Sequence, residues 1–139
     1  MDFVDCFFHR NLANGGGGAS FEMRNSNIRF VNSIFDSNDA TNTVGGLDFT
    51  FSNSAIYVME CKFFNNYGAT NTGGLRVYDG NVNIEIIDCV FRENESLYEG
   101  GALFVTSGNY YITISGTLFE NNECITGEKM QFQFAYLTI

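Results

Sequence analysis

Apolar and polar residues alternate along this chain in short runs, and the runs themselves recur. Between Val82 and Phe91 the apolar side chains fall at Ile84 and Ile86, then at Ile87, Cys89 and Phe91. The period is two, that of a strand with one buried face, with a slip of one between Ile86 and Ile87. One unit earlier the same pattern reads Ile56, Val58, Met59, Cys61, Phe63, and before that Ile28, Phe30, Val31, Ser33, Phe35. Such a slip predicts a corner between two short strands that keeps side chains inside. A third alternating segment follows each double glycine: Ala19 and Phe21, Leu47 and Phe49, Leu75 and Val77, Ala102 and Phe104.

Motifs mark the same period. Phe-x-x-Asn occurs at Phe8–Asn11, Phe35–Asn38, Phe63–Asn66, Phe91–Asn94 and Phe119–Asn122, with Phe spacings of 27, 28, 28 and 28. Double glycines stand at Gly17–Gly18, Gly45–Gly46, Gly73–Gly74 and Gly100–Gly101, and a further column, Asn25, Asn53, Asn81 and Asn109, steps by 28. Independent columns on one period define a repeat architecture. The units run about 3–24, 25–52, 53–80, 81–108 and 109–139. Three short strands and three bends in each unit predict an all-β fold, a parallel β-helix of about 28 residues per rung. Double glycines and β-branched alternation argue against a helical repeat.

Equivalent residues of successive rungs then stack about 4.8 Å apart. Phe8, Phe35, Phe63, Phe91 and Phe119 become an interior aromatic column. Asn11, Asn38, Asn66, Asn94 and Asn122, with Asn25, Asn53, Asn81 and Asn109, become amide ladders at corners, where Asn also tolerates the left-handed conformation.

FxxN followed by GGAL or GGL at this spacing resembles the polymorphic membrane protein repeat of chlamydial outer-membrane autotransporters. The match spans residues 3 to about 127, with departures where Leu follows Gly46 and Gly74 and where Thr126–Gly127 replaces the last double glycine. The resemblance implies a right-handed β-helix of pectin-lyase-like architecture, displayed at a cell surface for adhesion, and no catalytic residues.

Composition narrows the partners. With 7 basic and 16 acidic residues the net charge is −9, which offers nothing to nucleic acid or an anionic membrane surface. No apolar run reaches the length of a membrane-spanning helix, and MDFVDCFF is not a signal peptide. The expectation is a noncatalytic surface or extracellular module for adhesion or assembly, with protein partners (flanking segments, itself or a larger assembly) and surface glycans as a further class, and no cofactor. A structural subunit of a larger complex and a carbohydrate-active enzyme are the alternatives.

Candidate chemistry is thin. Asp5, Asn32, Glu60, Asp88 and Gly116 form one outward column, in which Glu60 and Asp88 are weak candidates for a shared cation. Lys62 and Arg92 lie close by, so a solvated acidic strip is the simpler account. Cys6, Cys61 and Cys89 share an inward column with Ser33 and Thr117, and parallel stacking holds their Cβ atoms too far apart for a disulfide; they read as buried thiols. Cys124 falls in a turn and His9 is the only histidine. The triplets Thr41–Thr43 and Thr70–Thr72 read as turn residues, and the sequon at Asn94 as unmodified because the ladder commits its amide.

One outward column resists a bland account: Phe7, Ile34, Lys62, Val90, Leu118. Stacked apolar residues make a contiguous strip, an interaction surface that Leu97 and Tyr98 extend. The chain also opens in register at Val4 and closes on QFQFAYLTI without a polar cap. Solenoids need caps, so a segment of a longer solenoid, or a self-associating one, is expected.

Overall fold

The structure, a computed structural model, describes residues 1–127 and the backbone of the strands Met130–Phe132 and Leu137–Thr138. Residues 128–129, 133–136 and 139 of the last unit, and most of QFQFAYLTI with them, lie outside the described residues.

The chain winds as a β-solenoid whose strands line up in four parallel sheets. The first holds the longest strands, Ser26–Val31, Ser54–Met59, Val82–Ile87 and Tyr110–Ser115, flanked by Asp2–Val4 and Leu137–Thr138. The second carries the FxxN phenylalanines in Phe7–His9, Ile34–Asp36, Lys62–Phe64, Val90–Arg92 and Leu118–Glu120. The third consists of two-residue strands beginning with Leu12–Ala13, and the fourth follows the glycines, from Ala19–Phe21 to Met130–Phe132. Paired residues are 28 apart in the middle rungs, as in Ile56, Ile84 and Ile112. The first step is 27, from Phe8 to Phe35.

Each rung therefore has four strands, where the sequence pattern predicted three. The extra one is Asp39–Ala40, Tyr67–Gly68 or Glu95–Ser96, and its inward residue is Ala40, Gly68 or Ser96. Small inward residues leave no hydrophobic alternation to read. They are small because the coil is pinched there: a Cβ on Gly45 would lie 2.6 Å from the Tyr67 backbone nitrogen.

The core is a set of columns. Rings of Phe8, Phe35, Phe63, Phe91 and Phe119 stack at centroid separations of 4.6, 4.8, 4.5 and 5.1 Å, within 12° of parallel. Ile28, Ile56, Ile84 and Ile112 form a second column from the first sheet. All the interior members of both are fully buried or nearly so.

Three local expectations are corrected. Val31, Met59 and Ile87 are half-buried, not interior; the inward run passes from Ile86 to Cys89. Of the two residues between, Asp88 takes φ 51°, as Asp5, Asn32, Glu60 and Gly116 do on other rungs (53°, 47°, 54° and 59°), and this left-handed step makes the corner. The ladder asparagines do not occupy the left-handed conformation. Their neighbours do: Ser37, Asn65 and Glu93 before one ladder, Ala55 and Asn83 after the other. Finally, Leu103 and Val105, not Ala102 and Phe104, continue the inward columns of Leu75 and Val77. Gly101 stacks on Gly73, so Ala102 fills the place of a second glycine; a one-residue shift exchanges the faces.

Candidate functional site

The repeated polar residues are absorbed by the coil. Asn66 accepts from Asn38 through its Oδ1 and donates its amide to Phe35 O and to Asn94 Oδ1, each at 2.9 Å. Asn11, Asn38, Asn94 and Asn122 continue this ladder. Asn25, Asn53, Asn81 and Asn109 form the other, with Asn53 and Asn81 also donating to Thr50 O and Tyr78 O three residues back. Backbone amides of Asn38, Asn53, Asn66 and Asn81 bond to the next ladder oxygen as well. Asn94 is fully buried, its amide bound to Phe63 O and Asn122, so the sequon nitrogen is occupied.

The thiols are free. Cys61 and Cys89 are fully buried. Their Sγ atoms approach the carbonyls of Met59 (3.2 Å) and Ile87 (3.3 Å). The hydrogen bond it shares with Cys61, with burial, holds the Cys89 thiol well above its ordinary range. Cys6 and Cys124 are half-buried. Glu60 and Asp88 are exposed on adjacent rungs of the left-handed corner, and no group of three metal-binding side chains occurs among the described residues. The threonine triplets sit between the third and fourth sheets, where Thr43 Oγ1 accepts from Gly16 N at 3.1 Å.

Two outer faces remain. On the second sheet Phe7, Ile34, Lys62, Val90 and Leu118 pair in register as one column. Phe7 is 62% and Leu118 47% exposed, with Ile34 and Val90 half-buried between them. The neighbouring outward column pairs its own polar groups. His9 Nδ1 lies 3.1 Å from Asp36 Oδ2, and Arg92 bonds Glu120 at 2.6 and 2.8 Å while covering the Phe64 ring. Val4, Val31, Met59 and Ile87 run along the other side of the corner. The apolar strip is thus wider than the sequence pattern suggested, and the acids Asp5, Glu60 and Asp88 stand in its middle. Tyr98 is exposed in its own bend.

The fourth sheet carries the feature that sequence reasoning missed. Its outward column reads Ser20, Asp48, Arg76, Phe104. Arg76 Nε and Nη2 each donate to one oxygen of Asp48 at 2.8 Å, and the two side chains are only 9% and 5% exposed. Burial pushes the Asp48 carboxyl above its ordinary value; Arg76 pulls it back by hydrogen bonding and charge, and nearby Glu22 raises it again. Arg76 also lies over the Tyr78 ring at 5.0 Å, and Tyr78 meets Phe51 edge to face. The pair forms the floor of an open groove of about 480 Å³, walled by the bend at Gly16 and Thr43 on one side and by Glu22, Met23 and Phe51 on the other. Its one trace in the sequence is a pair of opposite charges 28 residues apart at equivalent positions, Asp48 and Arg76.

The chain has no match among family profiles, curated proteins or solved structures.

Proposed function

We propose that this chain is a noncatalytic repeat solenoid of the polymorphic membrane protein type, with pectin-lyase-like architecture, serving as a surface or extracellular adhesion or assembly module. The observation that carries this is the in-register strip Phe7–Ile34–Lys62–Val90–Leu118. The ladders and stacks consume the repeated residues, which leaves the outer faces to bear function. A protein surface with apolar side chains rimmed by Lys or Arg fits the strip and its acidic ridge. An alternating Lys-Leu peptide is a direct probe. Fluorescence anisotropy should show binding that weakens with salt and is lost in Val90→Lys/Leu118→Lys, while an alternating Glu-Leu peptide stays free. Equal binding of both peptides, or binding indifferent to the double substitution, refutes the strip as the interface.

The groove favours a second reading, a carbohydrate-active enzyme. Asp48 argues against it. Both its oxygens are held by Arg76, so it is poorly placed to take a proton, and Glu22 makes no hydrogen bond or ion pair with another acid or base among the described residues. Incubation with polygalacturonate or alginate should release no new sugar ends. Release that Glu22→Gln abolishes would establish the enzyme.

A further inference from the structure

A buried ion pair on the outside of a solenoid rung calls for an explanation. Desolvation of both charges offsets most of their attraction, so Asp48–Arg76 gives the coil little that an apolar pair would not. Other rungs place Ser20 and Phe104 in the same column without it. What the pair does supply is a rigid, neutral, polar floor. Among the described residues each Asp48 oxygen accepts a single hydrogen bond, leaving capacity for another, and Arg76 Nη1 makes none. The Ser20 hydroxyl and the Glu22 carboxylate beside it are exposed and likewise make none within the described residues. On the wall, Phe51 is 44% and Met23 66% exposed.

From this we propose that the groove over Asp48 and Arg76 binds a short neutral oligosaccharide. Donors and acceptors alternate along the floor, as vicinal hydroxyls require, and the apolar wall suits the C–H face of a pyranose. Fixed charge decides against the other classes. Asp48 and Glu22 outweigh Arg76 and repel a carboxylate or sulfate, and with Asp48 already paired to Arg76 an ammonium would find only the exposed, solvent-screened Glu22. A volume of about 480 Å³ is that of a small-ligand site. Phe104, buried next in the column, replaces the polar floor one rung beyond Arg76, so the site takes a few sugar units.

The proposal deepens the adhesion reading and rests on it for the absence of cleavage, but it concerns a different face from the strip. Isothermal titration of the whole chain with cellotriose, triacetylchitotriose and mannotriose, and with trigalacturonate and trilysine as charged controls, tests it. At least one neutral trisaccharide should bind. Phe51→Ala and Glu22→Gln, both at exposed positions, should each weaken it about tenfold, roughly 1.4 kcal/mol, and Glu85→Gln on the first sheet should not. No heat from any neutral sugar at millimolar concentration, tighter binding of either charged control, or affinity unchanged in both variants overturns the site. Binding followed by cleavage would keep the site and overturn the noncatalytic reading, and the strip is untouched by either result.

Discussion

The rings of Phe63 and Phe91 lie 4.5 Å apart between centroids and 3° from parallel, both fully buried. The rung spacing imposes this face-to-face arrangement, since each ring can move only with its strand. Truncating either ring opens a cavity bounded by two neighbouring rings that the ladders hold in place. Phe63→Ala and Phe91→Ala should each cost about 3–5 kcal/mol, the range for large aromatic deletions in a core. Urea titration measures it. A cost below that of a ladder substitution would mean that the coil collapses around the gap.

Ladder amides should matter less singly and more in the middle than at the end. Asn53→Ala and Asn81→Ala each orphan a backbone N–H of the preceding rung and a turn carbonyl, Thr50 O or Tyr78 O. Roughly 1–3 kcal/mol is expected for such unpaired groups. Asn25→Ala, at the first place in the column, should cost less than either when the three are unfolded under the same conditions.

The parts of this fold that a sequence displays are those where each rung repeats the same demand. Phenylalanine and asparagine columns show because ring stacking and amide ladders need identical residues on every rung. The Asp39–Ala40 and Tyr67–Gly68 strands do not show, because a pinched coil wants only something small inside, and Ala, Gly and Ser carry no period. Corners were legible as slips but not assignable to residues: the left-handed position accepts Asp88, Glu60, Asn32 and Gly116 alike. The groove was hidden for the opposite reason. It occurs on two rungs only, so no column announces it, and an alignment anchored on the double glycine of Gly100–Gly101 put Phe104 inside.

Gly74 tests how closely the second glycine column stacks. Its φ is not left-handed, so any penalty is steric. A Cβ there would clash with the carbonyl of Ala102 and lie 2.9 Å from Cδ1 of Phe91. Gly74→Ala should destabilise by about 1–3 kcal/mol or more, as overpacked sites do. Ala102 already carries a methyl in the same column, so Ala102→Gly should change far less. Similar costs for the two would place the constraint elsewhere.

The groove floor makes a pH prediction. Breaking the pair by Arg76→Met leaves a buried carboxylate and should cost about 3–5 kcal/mol at neutral pH. Burial raises the folded pKa of Asp48 above its unfolded value even with Arg76 present, and more so without it. A raised folded pKa gives stability that is full below the unfolded pKa and is lost as pH climbs through the folded one. Arg76→Met should therefore lose stability relative to Asp48→Asn/Arg76→Met, which has no charge to bury, as pH climbs above the unfolded carboxylate range, about pH 4, and through the raised folded value. Parallel denaturation profiles for the two variants would show that water reaches the floor.

The strip makes the last prediction, and salt is its lever. Two copies that pair Phe7, Ile34, Val90 and Leu118 face to face would bury apolar surface that is now partly exposed. They would also bring together two chains of net charge −9, with Asp5, Glu60 and Asp88 near the contact. At about 0.1 M salt the screening length is near 10 Å and the acids repel across such an interface; at about 1 M it is near 3 Å and they do not. Lateral self-association should accordingly be weak at low salt and grow as salt rises, the reverse of what binding to a basic partner would do. Ile34→Thr/Val90→Thr/Leu118→Thr keeps the charge and the strand propensity while removing the apolar atoms, so it should stay unassociated at both salts. Light scattering over a concentration series separates the cases. Association of the unaltered chain that weakens with salt, or that persists in the triple variant, would show that the contact lies on another face.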